Sequence, residues 1–299
     1  MGRPRVDVVV PFRGERTVLD ALSKRLAAVA LGPGDTLTIV DNTPGRGSGT
    51  EGNIVRESAL GTPAYARDRG AERGEAEWLV FLDADVTPPP DLLDRYFDPR
   101  PRERSAVLAG GLRDERAGPG SPAVARYAYL SSAMSQDNTL EYGPEWGFAK
   151  TANAAFRRTA FDAVGGFRDS LRAGEDADLT YRLRAAGWEL ERREHAAVVH
   201  ASRTTAAALA LQWLGFGSAG AWLDREYPGS FPARRRPGLV WWGARFVMKG
   251  VAGALRRRDR DAALRAVFEP LEQLSYEFGR SIPNERPLPP RSPWRLVAS

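Results

Sequence analysis

The 299-residue chain has 42% hydrophobic residues, a formal charge of +5 and no cysteine. This length buries an ample core as one large domain with an appendage or as two modest ones. The lack of Cys excludes disulfide frameworks, thiol catalysis, Cys-ligated zinc and iron–sulfur clusters. His195 and His200, the only histidines, are too few for an all-histidine metal centre.

Met1–Arg5 runs directly into a strand-like segment without a long apolar leader, so a cytoplasmic protein is expected. Val6–Phe12, Thr36–Asp41, Gly52–Glu57, Trp78–Asp83 and Ala106–Gly111 read as strands, rich in Val, Ile and Leu and bounded by Gly, Pro or Asp. Glu15–Ala30 carries Val18, Leu19, Leu22, Leu26 and Val29 at helical spacing, and Pro63–Arg73 is a weaker helix. Such alternation predicts an α/β fold with a mostly parallel central sheet flanked by helices.

Beyond Asp114, the pattern predicts helices over Ala123–Met134, Thr159–Val164 and Glu175–Ala186, a loop over Gln136–Lys150, and strands at Trp188–Glu191 and Ala197–His200. Thr204–Leu223 is a buried or interfacial helix with a break expected near Gly215, Gly217 and Gly220. Leu239–Leu255 is aromatic and basic, and the Pro-rich stretch Pro283–Pro293 reads as a poorly ordered or wrapping tail. Residues 1–205 hold 28 Lys/Arg against 30 Asp/Glu, whereas 206–299 hold 15 against 8. The positive surplus therefore belongs to a helical C-terminal extension (206–299), set apart from an α/β unit of 1–205 whose halves divide near 115. No nucleic-acid recognition motif accompanies this charge, so nucleic acid is not an expected partner.

The most informative segment is Glu77–Thr87, EWLVFLDADVT. An apolar strand ends at Asp83 and Asp85, and in open α/β sheets ligands collect outside the carboxyl ends of strands. Two carboxylates one residue apart can face one cation; hard oxygen donors suit Mg²⁺ or Mn²⁺, which shares its shell with substrate phosphates. Three readings of the pair stay open. It is a strand-end turn; or, as Asp83-Ala84-Asp85-Val86-Thr87, it matches the opening motif of haloacid-dehalogenase-like phosphatases with Asp83 as nucleophile; or it is a diphosphate and metal site. The strand–helix–strand pattern preceding the motif, and the scarcity of lysine (Lys24, Lys150, Lys249), disfavour the phosphatase.

Val6–Arg13, Ile39–Asn42, Ala66–Gly70, Phe81–Asp85, Asn153–Arg158, Gly165–Phe167, Gly174–Leu179 and Val199–His200 occur in an order that resembles the family 2 glycosyltransferases. The resemblance covers roughly residues 5–225 and implies a Rossmann-like GT-A fold and inverting transfer from a nucleotide sugar, most often a UDP-sugar. It implies that Pro11 and Phe12 approach the nucleotide base, that Asp41 recognises it, and that Arg67 lies near base and phosphates. Asp83 and Asp85 would meet ribose and metal, with His200 completing the shell of a Mn²⁺ or Mg²⁺ ion. Asp176, beside Glu175, would be the base that deprotonates the acceptor hydroxyl, and Asn153 would lie near sugar and acceptor. Adjacent acids raise one another's pKa, while acids in a helix's first turn also have a purely structural rationale.

Polymerising members carry Gln-x-x-Arg-Trp and several membrane spans; Gln212-Trp213 lacks that pattern, so transfer of a single sugar to a small molecule, glycan or lipid-linked glycan is expected. The C-terminal helices leave two readings open: peripheral contact with the inner membrane face, or packing of Trp222, Trp241 and Trp242 onto the catalytic unit or a second subunit. A third class, a non-catalytic nucleotide-sugar-binding protein, is disfavoured by the intact Asp-x-Asp and Glu-Asp pairs.

Overall fold

A computed structural model describes residues 2–233 and 236–287. The first half runs β1 (Val6–Phe12), α1 (Arg16–Leu26), β2 (Thr36–Asp41), β3 (Ser48–Glu51), β4 (Ile54–Glu57), α2 (Pro63–Ala71), β5 (Trp78–Leu82), β6 (Val86–Thr87), α3 (Leu92–Tyr96) and β7 (Ser105–Asp114). The second runs α4 (Ala123–Ser131), α5 (Asp137–Leu140), α6 (Gly143–Trp146), β8 (Asn153–Arg157), α7 (Arg158–Ala163), α8 (Glu175–Ala185) and β9 (Glu189–His200). Three long helices follow: α9 (Ala206–Glu226), α10 (Arg236–Arg257) and α11 (Arg260–Gly279).

The nine strands form one sheet in the order β3-β4-β2-β1-β5-β8-β7-β9-β6. The expected parallel arrangement holds across β4-β2-β1-β5, whereas β8 enters antiparallel between β5 and β7. Strand β5 shows why this segment sits at the centre: Trp78, Val80 and Leu82 pack on one face with Leu19, Leu22 and Leu92, while Leu79 and Phe81 pack on the other with Ala66, Phe161 and Leu179. Both faces are covered, so the strand is apolar throughout rather than alternating with polar residues.

Several local expectations change. The strand expected over Gly52–Glu57 is β4, starting two residues later at Ile54, because Gly52 takes a positive φ (+59°) and turns the unforeseen β3 back along it. The Gln136–Lys150 segment contains two short helical turns, α5 and α6, rather than loop alone. The two late strands are one, β9, whose register against β7 shifts between Gly110 and Leu112. Helix α9 is unbroken. Its glycines serve close packing instead: a Cβ on Gly217 would lie 1.8 Å from the Tyr276 carbonyl oxygen, and one on Gly220 2.0 Å from the Tyr276 hydroxyl. Trp222 packs with Tyr181 of α8 and with Phe148. Up to residue 287 the proline-bearing tail wraps, with Arg172 N–H donating to Asn284 O and Arg286 N–H to Ser170 O, both at 2.9 Å; its remainder, 288–299, lies outside the described residues.

Candidate active site

Parallel strands in register end together. Phe12 pairs with Asp41 and Val9 with Phe81, so Pro11, Asp41 and Asp83 all stand at the carboxyl edge of β1, β2 and β5. On the far side, β6 brings Val86 opposite His200, and β7 brings Asp114 opposite the same histidine. The Asp83–Asp85 turn is fixed by Val86 N–H donating to Asp83 O (3.3 Å) and Ala201 N–H to Asp85 O (2.9 Å).

Arg67 organises the centre. Helix α2 starts at Thr62, whose hydroxyl accepts the Tyr65 N–H, with Pro63 following. It lies so close to the sheet that a Cβ on Gly70 would meet Val9 at 2.3 Å. That approach buries Arg67, whose Nη2 donates to Asp83 Oδ1 (2.6 Å) and Nη1 to Glu175 Oε1 (2.5 Å). One guanidinium thus ties β5 to the start of α8; Phe167 lies beneath it at 5.9 Å.

Helix α8 begins after Gly174, which takes φ +78°, and places Glu175, Asp176 and Asp178 in its first turn. Asp176 is half-buried and accepts the Ala177 N–H (2.8 Å). Burial first, and the charge of Glu175 second, push its carboxyl up to about 7, with Arg67 pulling the other way. Asp178 is a buried structural acid, held by Arg182, Arg168 and Tyr227.

On the Asp85 side, its Oδ2 lies 3.4 Å from His200 Nε2 and 3.5 Å from Arg203 Nη1, while His200 Nδ1 lies 3.8 Å from Asp114. Burial opposes charge on both partners. Even so, His200 and Arg203 hold Asp85 below the usual carboxylate range, and Asp114 and Asp85 push His200 up to about 9. Asp85 Oδ1 is buried without a hydrogen-bond partner. An orphaned carboxylate oxygen beside an imidazole fits two donors to a divalent cation, whose other ligands would come from diphosphate and water.

Four assignments are corrected or narrowed. Among the described residues no three His, Cys, Asp or Glu stand together as metal ligands; of the expected Asp83, Asp85 and His200, the last two lie side by side. Asp83 faces Arg67 instead. Phe12 buries its ring in the core with Leu19 and Leu22, leaving its backbone and half-buried Pro11 at the crevice. Asn153 is fully buried, with Tyr96 donating to its Oδ1 (2.6 Å) and its Nδ2 donating to Gly111 O (2.9 Å) and Ala196 O (2.7 Å). No polar atom of that side chain is left for a sugar; it locks β8 to β7 and β9. Asp41 is buried and already paired: Arg46 Nη1 donates to its Oδ2 (2.7 Å).

Sequence reasoning passed over Arg46 and Arg203, and weighed Lys150 only as a lysine a phosphatase would need. Lys150 donates to the carbonyls of Met134 (3.1 Å) and Ser135 (2.6 Å); burial lowers its pKa to about 8 against the charges of Asp176, Asp114 and Asp137. Three cations thus line a site read from its acids.

Residues 4–214 match the model of the "Glycosyltransferase like family 2" family. The pre-mycofactocin glycosyltransferase of Mycobacterium tuberculosis is 29% identical over 214 residues, covering 67% of this chain and 43% of that relative. This chain therefore spans less than half of that relative's length. The succinoglycan biosynthesis protein ExoA of Rhizobium meliloti is 26% identical over 228 residues, covering 70% of this chain and 67% of that protein. In structure, the mannosyltransferase PcManGT from Pyrobaculum calidifontis, solved with GDP-Man and Mn2+, superposes with a TM-score of 0.61 at 17% identity, over 94% of this chain and 86% of that one. That likeness shows the shared fold. With more than two thirds of its length matched by the family model, this chain belongs to the family 2 glycosyltransferases and carries the GT-A fold.

Proposed function

We propose that the protein moves a single sugar from a nucleotide-sugar donor, UDP-linked in the first instance, to an acceptor hydroxyl with inversion at the anomeric carbon. The observation that carries this reading is the Arg67 bridge, which joins the strand-end Asp83 to Glu175, the neighbour of Asp176.

The donor's base lies toward Asp41, a carboxylate suited to the N–H edge of uracil, and Arg46 yields part of that contact when the base arrives. Asp83 receives the ribose hydroxyls. Asp85 and His200 would hold a Mn²⁺ or Mg²⁺ ion, which would supply Lewis-acid neutralisation of the leaving diphosphate. Arg203, 44% exposed beside Asp85, and Arg67 add fixed positive charge where negative charge develops. The acceptor oxygen attacks C1 opposite the diphosphate while Asp176 takes the hydroxyl proton. The bond between C1 and the diphosphate oxygen breaks, and nucleoside diphosphate leaves with its electron pair. A carboxyl near pKa 7 is ionised enough to accept a proton and basic enough to drive the transfer.

A phosphatase using Asp83 as nucleophile fits poorly, because that carboxylate is engaged by a buried guanidinium. The test is a panel of nucleotide sugars incubated with the protein and Mn²⁺, with and without chelator, read as slow donor hydrolysis. Chelator-sensitive hydrolysis of a UDP-sugar is expected. No hydrolysis of any donor, together with no calorimetric binding of UDP or GDP, overturns the reading.

A further inference from the structure

Helix α10 has two unlike faces. One packs on α11 through small residues: a Cβ on Gly250 would lie 2.6 Å from the Ala266 Cβ, and one on Gly243 3.5 Å from the Pro270 Cβ. Leu239 and Ala254 are buried on the same side. The other face shows solvent Trp241, Met248 and Leu255 at 64, 67 and 71% exposure, with Val240 beside them at 49%. Spaced by seven, the first three fall almost in line along a stripe of about 21 Å. Water-facing side chains of this size in a continuous row mark a contact surface.

The charge around the stripe is of one sign. From Tyr227 to Arg258 the sequence contains eight Lys/Arg and no Asp or Glu. Arg245 stacks over Trp241 at 5.3 Å, Lys249 follows Met248, and exposed Arg256, Arg257 and Arg258 end the helix. An isologous contact between two copies would set these cations against themselves. Among the described residues no helix is long and apolar enough to cross a membrane. An apolar row flanked by cations, on one straight helix of modest hydrophobicity, matches a flat anionic surface with an oily interior.

We propose that α10 docks in the plane of an anionic lipid bilayer, with Trp241, Met248 and Leu255 entering the headgroup–acyl boundary and Arg245, Lys249 and Arg256–Arg258 engaging the lipid headgroups. Helix α10 carries none of the residues given a role in the proposed chemistry, so failure of the docking proposal leaves the reading of the active site intact.

The test is co-sedimentation of the full chain with phosphatidylcholine vesicles, and with vesicles of equal parts phosphatidylcholine and phosphatidylglycerol. Binding to the anionic vesicles that weakens as NaCl is raised is expected. Trp241→Ser/Met248→Ser/Leu255→Ser should lower that partitioning at least about tenfold. Arg256→Gln/Arg257→Gln/Arg258→Gln should lower it by roughly a hundredfold, each cation near an anionic surface contributing about a factor of five. Both variants are exposed and should melt as the wild type does and hydrolyse donor at the wild-type rate without vesicles. Absence of binding to anionic vesicles, or partitioning unchanged in both variants, overturns the proposal. So does sedimentation equilibrium showing a wild-type dimer that the apolar variant dissociates, since the stripe would then be covered by a second copy.

Discussion

Asp176→Asn removes the proposed base while keeping the side chain's shape and its capacity to accept the Ala177 N–H. A positioned base contributes about 10²–10⁴ in rate, so kcat/KM for transfer should fall by that factor with nucleotide affinity kept. The wild-type carboxyl supplies a second, independent reading, because burial and the charge of Glu175 carry it from 3.8 to about 7. The ionised form is the active one, so activity rises with pH. About one-tenth of the base is ionised near pH 6 and about nine-tenths near pH 8, a climb of about tenfold. Glu175→Gln removes the second of those two causes, so the midpoint should move to lower pH. Donor hydrolysis followed as nucleotide release across that pH range reads all three enzymes. Retention of more than about a tenth of wild-type activity in Asp176→Asn, or a wild-type profile flat between about pH 6 and pH 8, refutes Asp176 as the base.

Asp85→Ala should cost at least about tenfold in UDP affinity measured with Mn²⁺ and nothing measured with chelator; equal affinity of both proteins with Mn²⁺ would remove Asp85 from the cation site. Asn153→Ala strands Tyr96 Oη and two buried carbonyls, and at about 1 kcal/mol per bond should cost about 3 kcal/mol in denaturant unfolding while leaving UDP affinity unchanged; weakened UDP binding in folded protein would return this residue to the donor site. Gly217→Ala drives a methyl into the Tyr276 carbonyl and should destabilise by about 1–3 kcal/mol in thermal melts, against a gain expected from helix propensity alone; a stabilised variant would mean that α9 and α11 do not approach closely there.

What was legible in the sequence follows from how much each segment depends on distant partners. Strands β1 and β2 coincide with their apolar runs because both faces of the central sheet are covered and hydrophobicity alone marks them. Strand β8 (NAAFR) was passed over as a strand: alanines pack in its tight interior slot, yet they carry little strand preference of their own. The glycines of α9 looked like a break because propensity counts only their local cost, while their gain comes from Tyr276, far along the chain. In the site, the acids were found by their order, whereas Arg46 and Arg203 are two among 43 Lys/Arg, and only folding singles them out. Asn153 illustrates the converse: a polar residue in a motif turned out to be a buried bracket between strands.

The lone guanidinium shared by Asp83 and Glu175 has a consequence for how turnover is sequenced. Under the proposed function, a diphosphate arriving next to it would have to compete with two carboxylates already in possession of its donor hydrogens. Loosening on one flank would then be felt on the other through the shared guanidinium. Donor occupancy would thereby be announced to the acceptor flank electrostatically, and departure of the spent nucleotide would restore the starting balance.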